Sequence, residues 1–188
     1  MNRISKIPII DTGHGFNTPG KRSVGFEKNG NVLLKENSVN EAVGNKLSMI
    51  HYLMGSECHF ISNEWNDISL QERVNRERKL ATKNTFFISI HADAYHVKNA
   101  AEGGRFFYYS DSGKEIAETL TNELVINGYD LKLRDPMRKS FKVIRETKSP
   151  AVLFELGFMT TKSDLDYLLS DNFRNKTATL LYNAFQCL

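Results

Sequence analysis

Apolar runs bounded by Gly, Pro or Asn alternate along this chain with segments of helical periodicity, and that alternation is the feature that most restricts its fold. Strands expected at Lys6 to Asp11, Glu57 to Ile61, Phe86 to His91, Gly104 to Tyr109 and Ala151 to Glu155 are rich in β-branched or aromatic residues. A shorter strand is expected at Lys142 to Thr147. Between them the 3.6-residue period predicts helices at Ser38 to Met54, Leu70 to Thr82, Gly113 to Asn127, Lys162 to Leu169 and Asn172 to Phe185. Ser38, Ser69, Ser112 and either Thr161 or Ser163 are the expected N-caps. Strands separated by helices imply an α/β fold: a mostly parallel, mixed, twisted sheet of about six strands with helices on both faces.

The 188 residues suit a single domain, and no stretch is long and polar enough to be a linker. We therefore expect one domain over 1–188, with no separate second domain. With 40% hydrophobic and 25% charged residues the chain can bury a full core. A net charge of +3 suits an anionic polymer but lacks the dense basic stripe of a nucleic-acid binder. Two cysteines, Cys58 and Cys187, are too few for a disulfide framework, so any metal site rests on His and carboxylates. Arg3 and Lys6 resemble the start of a signal peptide, but Pro8 and Asp11 cut its apolar segment short, and no run is long enough to cross a bilayer. Synthesis in the cytoplasm, with no membrane partner, is the expectation. Between the first strand and first helix, a long loop carries Pro19-Gly20 and Asn29-Gly30, and the second pair can close a small hairpin.

In open α/β sheets, ligands gather at the carboxyl ends of the strands. Three ionisable groups emerge there: His14 in "IIDTGHGF", His91 in "FFISIHADA" and Glu155 in "AVLFELGF". Glu155 ends a run of the kind buried on both faces, where a carboxylate needs a cation or a donor. A metal supplies such a cation. Two histidines and a carboxylate with a fourth position open form a hydrolytic zinc site, and the remaining ligand must come from elsewhere. Glu36 at the start of the first long helix is well placed, and Glu41, one turn on, competes with it. His96 is the rival histidine, whereas His51 and His59 have no motif.

The segments "IIDTGHG", "KENSVN", "FFISIHADA" and "SPAVLFELGFMTT", in this order and spacing, resemble the zinc-dependent N-acetylmuramoyl-L-alanine amidases, which cut bacterial cell wall. The likeness extends from about Ile7 to the last helices. It implies a phosphorylase/hydrolase-like fold, with His14, Glu36 and His91 as ligands of Zn²⁺ and Glu155 as the catalytic glutamate. It implies a substrate too: peptidoglycan, cut between N-acetylmuramic acid and L-alanine of the stem peptide. "NTPGKRS" is closer to phage and prophage lysins of that family, which implies release to the wall by a phage-type or other export route. Thr12 replaces a common Pro, and Asp93 a common Asn, beside the ligand positions. For the anionic stem peptide, Lys21, Arg22, Arg138, Lys139 and Arg145 are candidate clamps, Arg145 foremost. Arg73 is expected to be structural; Trp65 and the run Phe106 to Tyr109 are candidates for stacking on sugars, but aromatics alternating in a strand are more often core. The other readings are a zinc peptidase or deacetylase acting on another amide, and a wall-binding domain that keeps the fold without turnover.

Overall fold

The long apolar runs become the central strands. A computed structural model describes residues 6–18 and 20–188; Arg3 and Pro19 lie outside the described residues. In chain order the main-sheet strands are β1 (Ile7–Thr12), β4 (His59–Phe60), β5 (Thr85–Asp93), β6 (Gly104–Tyr108), β7 (Leu133–Arg138) and β8 (Ala151–Phe158). A separate hairpin pairs β2 (Glu27–Lys28) with β3 (Asn31–Val32). The helices are α1 (Glu36–Leu53), α2 (Leu70–Leu80), α3 (Asp111–Ile126), α4 (Lys142–Arg145), α5 (Lys162–Leu169) and α6 (Asp171–Phe185). The main sheet has the order β4-β1-β5-β8-β6-β7, and every neighbouring pair is parallel except β6 against β8. This is the expected mixed, mostly parallel α/β sheet.

Alternation along the strands divides the interior in two. Ile10, Ile88, Ile90, Val152 and Phe154 face the larger core with Val39, Val43 and Leu47 of α1, Leu120 of α3, Leu165 of α5 and Leu181 of α6. Ile9, Phe87, Phe107, Ala151 and Leu153 face a thinner core closed by Val143 and Ile144 of α4, with Leu80 of α2 packed against it. Four helices thus cover one face, while only α2 and α4 lie on the other and leave the carboxyl ends of β1, β5 and β8 uncovered. A cleft forms there because each strand is apolar on both sides only up to its polar end.

Several boundaries differ from the sequence reading. Lys142 to Arg145 is a one-turn helix, because Ile144 and Val143 both turn inward onto the sheet. The strand β7 was not expected; Pro136 interrupts its apolar pattern, and it sits at the sheet edge, where a missing N–H is tolerated. Helix α1 starts two residues earlier than Ser38, since the Glu36 N–H is held by the Lys21 carbonyl at 3.0 Å, and Lys35 stands at its N-cap without a side-chain bond. Ser110, in place of Ser112, caps α3. Ser69 caps α2 as expected, and Asn29 (φ 54°) with Gly30 (φ 77°) closes the β2–β3 hairpin in the doubly left-handed form such turns require. Both β5 and β8 continue beyond His91 and Glu155, with a bulge between the pairs His91–Glu155 and Asp93–Phe158.

Candidate active site

The pair His91 and Glu155 is set by the sheet. They are cross-strand partners on β5 and β8, so both side chains rise from the same face into the cleft. Glu36 reaches them from the first turn of α1, and His14 from the turn after β1. His91 Nδ1 lies 2.8 Å from Glu36 Oε1, and His14 Nε2 lies 3.3 Å from Glu36 Oε2. Donor atoms of His14, Glu36 and His91 all lie within 4.8 Å of one another, and neither Glu41 nor His96 joins them. His96 instead packs against Tyr95 on the surface.

The His14 turn is held from three sides. Its histidine occupies the left-handed region at φ 67°, which costs a non-glycine residue free energy and needs support from its surroundings. The flanking glycines serve close approach and not a positive φ. A Cβ on Gly13 would lie 2.0 Å from the His91 ring, and one on Gly15 would lie 2.3 Å from the Asp67 backbone. Asn40, one helical turn after Glu36, donates to the Gly13 carbonyl at 3.1 Å. Arg73, buried on α2, pairs with Asp11 and Asp67 and donates to the Thr12 carbonyl at 2.6 Å. Thr12 gives its N–H to Ser62 Oγ at 2.7 Å, a bond that the common Pro would lack.

A polar chain also orients His91. The Ser89 hydroxyl donates to Asp11 Oδ2 at 2.5 Å, so its oxygen accepts from His91 Nε2 at 3.1 Å. With Nε2 carrying a proton, Nδ1 is the nitrogen aimed at Glu36, and two lone-pair atoms can face each other there only across a proton or a cation. Burial pulls the His91 pKa down, yet the Glu36 hydrogen bond and the charges of Glu155, Glu36 and Asp11 raise it overall. Burial alone would raise the Glu36 carboxyl, but hydrogen bonds from His14 and His91 hold it well below the usual range. Two imidazoles converging on an ionised carboxylate form a donor set that suits zinc.

Glu155 has the opposite environment. It lies in a cavity of about 230 Å³ walled by Leu70, Phe141, Val143 and Leu153, with His14, Glu36, His91 and Lys21 on the same lining. Burial first, then Asp93 and Glu36, pushes its carboxyl up to about 8, against the pull of His91 and Lys21. Its Oε2 is buried without a hydrogen-bond partner among the described residues.

The basic candidates separate. Lys21 lines the Glu155 cavity, its amine bound to Asp93, and its N–H is held by Glu36 Oε2 at 2.9 Å. Arg22 bridges Lys35 and lines another groove with Tyr95 and His96. Arg145 turns to the Ser140 carbonyl and to Glu146 at 2.7 Å, while its neighbours Lys142 and Val143 line the cavity. Arg138 lies over the Tyr109 ring, and Lys139 is exposed. Trp65 stacks on Phe16 at 3.8 Å, both rings exposed, while Phe106 stacks on Phe154 in the core. His51 is buried and bound to Ser56, and His59 pairs with Glu57. The brace of Asp11, Ser89, Arg73 and Asn40 was not read as a unit in the sequence. Polar residues at alternate positions of otherwise apolar strands, Ser89 before His91 and Asp11 before Gly13, were its signal.

The family model for N-acetylmuramoyl-L-alanine amidase (Amidase_3) matches residues 9–187. The chain belongs to this amidase family. It is 29% identical over 182 residues to the Bacillus subtilis protein YqiI, covering 95% of this chain and 82% of that one. To the staphylococcal "Probable cell wall amidase LytH" of Staphylococcus saprophyticus it is 26% identical over 163 residues, covering 87% of this chain. The chain spans about half the length of that relative, 51%. Among solved structures, the catalytic domain of the amidase CwlV from Bacillus (Paenibacillus) polymyxa var. colistinus superposes with a TM-score of 0.83 at 26% identity, covering 95% of each chain. The amidase AmiC2 of Nostoc punctiforme gives 0.83 at 26% identity, over 96% of this chain and 95% of that one. The fold is thus that of amidase catalytic domains. Among the described residues, no helix is long and apolar enough to cross a membrane.

Proposed function

We propose that this amidase domain hydrolyses the amide between N-acetylmuramic acid and the L-alanine of the stem peptide in peptidoglycan, with zinc held by His14, Glu36 and His91 and with Glu155 as the catalytic acid and base. The observation that carries this reading is the register pair His91–Glu155, which sets a buried carboxyl, its Oε2 without a hydrogen-bond partner among the described residues, next to a three-donor cluster. When bound, zinc supplies Lewis acidity toward a carbonyl oxygen and toward water.

The protein groups supply the rest. His14 and His91 are fixed by the Arg73–Asp11–Ser89 brace, so the three donors need little reorganisation to close on a cation. The apolar wall of Phe141, Val143 and Leu153 keeps bulk water from Glu155 and accounts for its raised pKa. A divalent cation at the adjacent donors would draw that pKa down by charge attraction and leave the carboxylate able to accept a proton near neutral pH. Glu155 then takes a proton from the attacking water and delivers it to the departing alanine nitrogen, which needs it because an amide anion is a poor leaving group.

Digestion of purified peptidoglycan tests the reading. New N-terminal alanine with no new sugar reducing ends is the expected product pattern. Release of a different amine, or of acetate, would point to the peptidase or deacetylase alternative and overturn the assignment of the bond.

A further inference from the structure

The ladder that aligns His91 with Glu155 continues past the cleft. Glu155 is the antiparallel partner of Arg105 on β6, and Arg105 is the parallel partner of Arg134 on β7. In-register partners share a face. His91, Glu155, Arg105 and Arg134 therefore form one transverse row across four adjacent strands, on the cleft side of the sheet.

Two adjacent guanidinium groups in this row lack the partners that charged groups ordinarily find. Arg105 Nε and Arg134 Nε and Nη2 are buried without a hydrogen-bond partner among the described residues. Arg105 Nη1 lies 3.6 Å from the Met137 sulfur, and Arg134 lies 4.8 Å from the Phe158 ring centroid. Of the nearby carboxylates, Asp93 binds Lys21 and Asp164 accepts the N–H groups of Gly103 and Phe158 at 2.7 and 2.9 Å, while Glu155, the in-register neighbour of Arg105, attracts Arg134 by charge without a hydrogen bond to it among the described residues. Burial, then the like charge of Arg105, lowers the Arg134 pKa below the usual guanidinium value. Buried donors left unsatisfied cost stability and call for an explanation, and planar forks side by side match a carboxylate in two-toothed fashion.

We propose that Arg105 and Arg134 form a carboxylate-binding subsite for the stem peptide, holding a free carboxylate on about the second residue beyond the scissile amide. The inference rests on the amidase reading above. Glu155 serves the departing amine, so the peptide leaves from its position. His14 and Glu36 occupy the β1 side of the row, which directs the peptide over β6 and β7. Neighbouring strands lie about 4.8 Å apart, so the two arginines stand roughly 5 and 10 Å along the row from Glu155. An extended peptide advances about 3.3–3.6 Å per residue, which brings the second residue over this pair. The subsite uses neither Arg22 nor Arg145.

The test uses the metal-loaded protein and two uncleavable product peptides, L-alanyl-γ-D-glutamyl-L-lysine and its counterpart whose glutamyl α-carboxylate is a carboxamide, with affinities measured by calorimetry. The unaltered protein is expected to bind the acid about tenfold tighter than the amide, the size of one charge-assisted pair. Arg105→Gln and Arg134→Gln should each weaken the acid alone, bringing it toward the amide, and Arg134→Lys should recover part of the loss. On cleavable muramoyl peptides the same variants should raise KM with kcat kept. Equal binding of acid and amide by the unaltered protein, or equal loss of both in the Gln variants, would overturn the subsite. If a Gln variant melts early, the acid-to-amide ratio of the unaltered protein decides alone. A protein that prefers the acid peptide yet frees no alanine from cell wall would retire the amidase reading and leave the subsite standing. Cleavage without that preference would retire the subsite only.

Discussion

Glu155 and Glu36 are both buried carboxyls a few ångströms from His91, and their environments push them apart. Glu36 receives hydrogen bonds and stays ionised, whereas Glu155 faces apolar walls and is pushed up to about 8. Such divergence is what the proposed roles of Glu36 as a ligand and Glu155 as a proton carrier require. Glu155→Gln should therefore leave zinc uptake intact while lowering turnover by about 10²–10⁴-fold, judged by metal analysis beside a wall-digestion assay; turnover within a few-fold of the parent would remove Glu155 from the reaction. The same carboxyl predicts a pH effect on the metal-free protein. An unfolded Glu titrates near 4.5, so between that value and about 8 the folded state holds a proton that the unfolded state has lost. Its contribution to stability is full below pH 4.5 and declines as the pH rises through 8. Urea unfolding at a series of pH values should show this decline in the metal-free parent and a flatter profile in Glu155→Gln; parallel profiles would contradict the assigned burial. Gly13→Ala forces a Cβ to 2.0 Å from the His91 ring and should cost metal affinity more than it costs folding, seen as chelator sensitivity of a protein with near-normal circular dichroism.

At the scale of elements, three pieces of secondary structure converge on Arg73. From α2 its guanidinium ties the end of β1 to the segment carrying Asp67, and β5 joins through Ser89 and Asp11. Arg73→Met would leave the Asp11 carboxylate buried without its cation and should destabilise the fold by about 3–5 kcal/mol. Loss of less than about 1 kcal/mol in urea unfolding would mean that the brace is dispensable. This brace also marks where sequence reading ended. His14, His91 and Glu155 stand out in the sequence at the ends of apolar runs, whereas Glu36 competes there with Glu41 until the family resemblance selects it. The long-range links of the brace, Arg73 and Ser89 to Asp11, span 62 and 78 residues, and only the polar breaks at Asp11 and Ser89 in otherwise apolar strands hint at them. The edge strand β7 escaped for a related reason: half-exposed and broken by Pro136, it carries neither continuous apolarity nor clean alternation. Arg145 was favoured for its place before β8, but the one-turn helix α4 rotates it toward Ser140 and Glu146.

At the scale of the whole molecule, the two sheet faces are covered unequally. The thick side carries α1, α3, α5 and α6 and most of the buried apolar residues; the thin side, with α2 and α4, leaves room at the strand ends for the proposed substrate. A cation bound between α1, β1 and β5 therefore joins elements from both layers and should stabilise the domain by mass action. Chelation is expected to lower the melting temperature, with recovery on adding zinc. The most direct test of the account is a calorimetric zinc titration of the parent protein beside His14→Ala, Glu36→Ala, His91→Ala and Glu155→Gln. One zinc per chain is expected for the parent and for Glu155→Gln, with sharply weakened binding in the other three. Undiminished binding in any of those three, or no uptake by the parent, would contradict it.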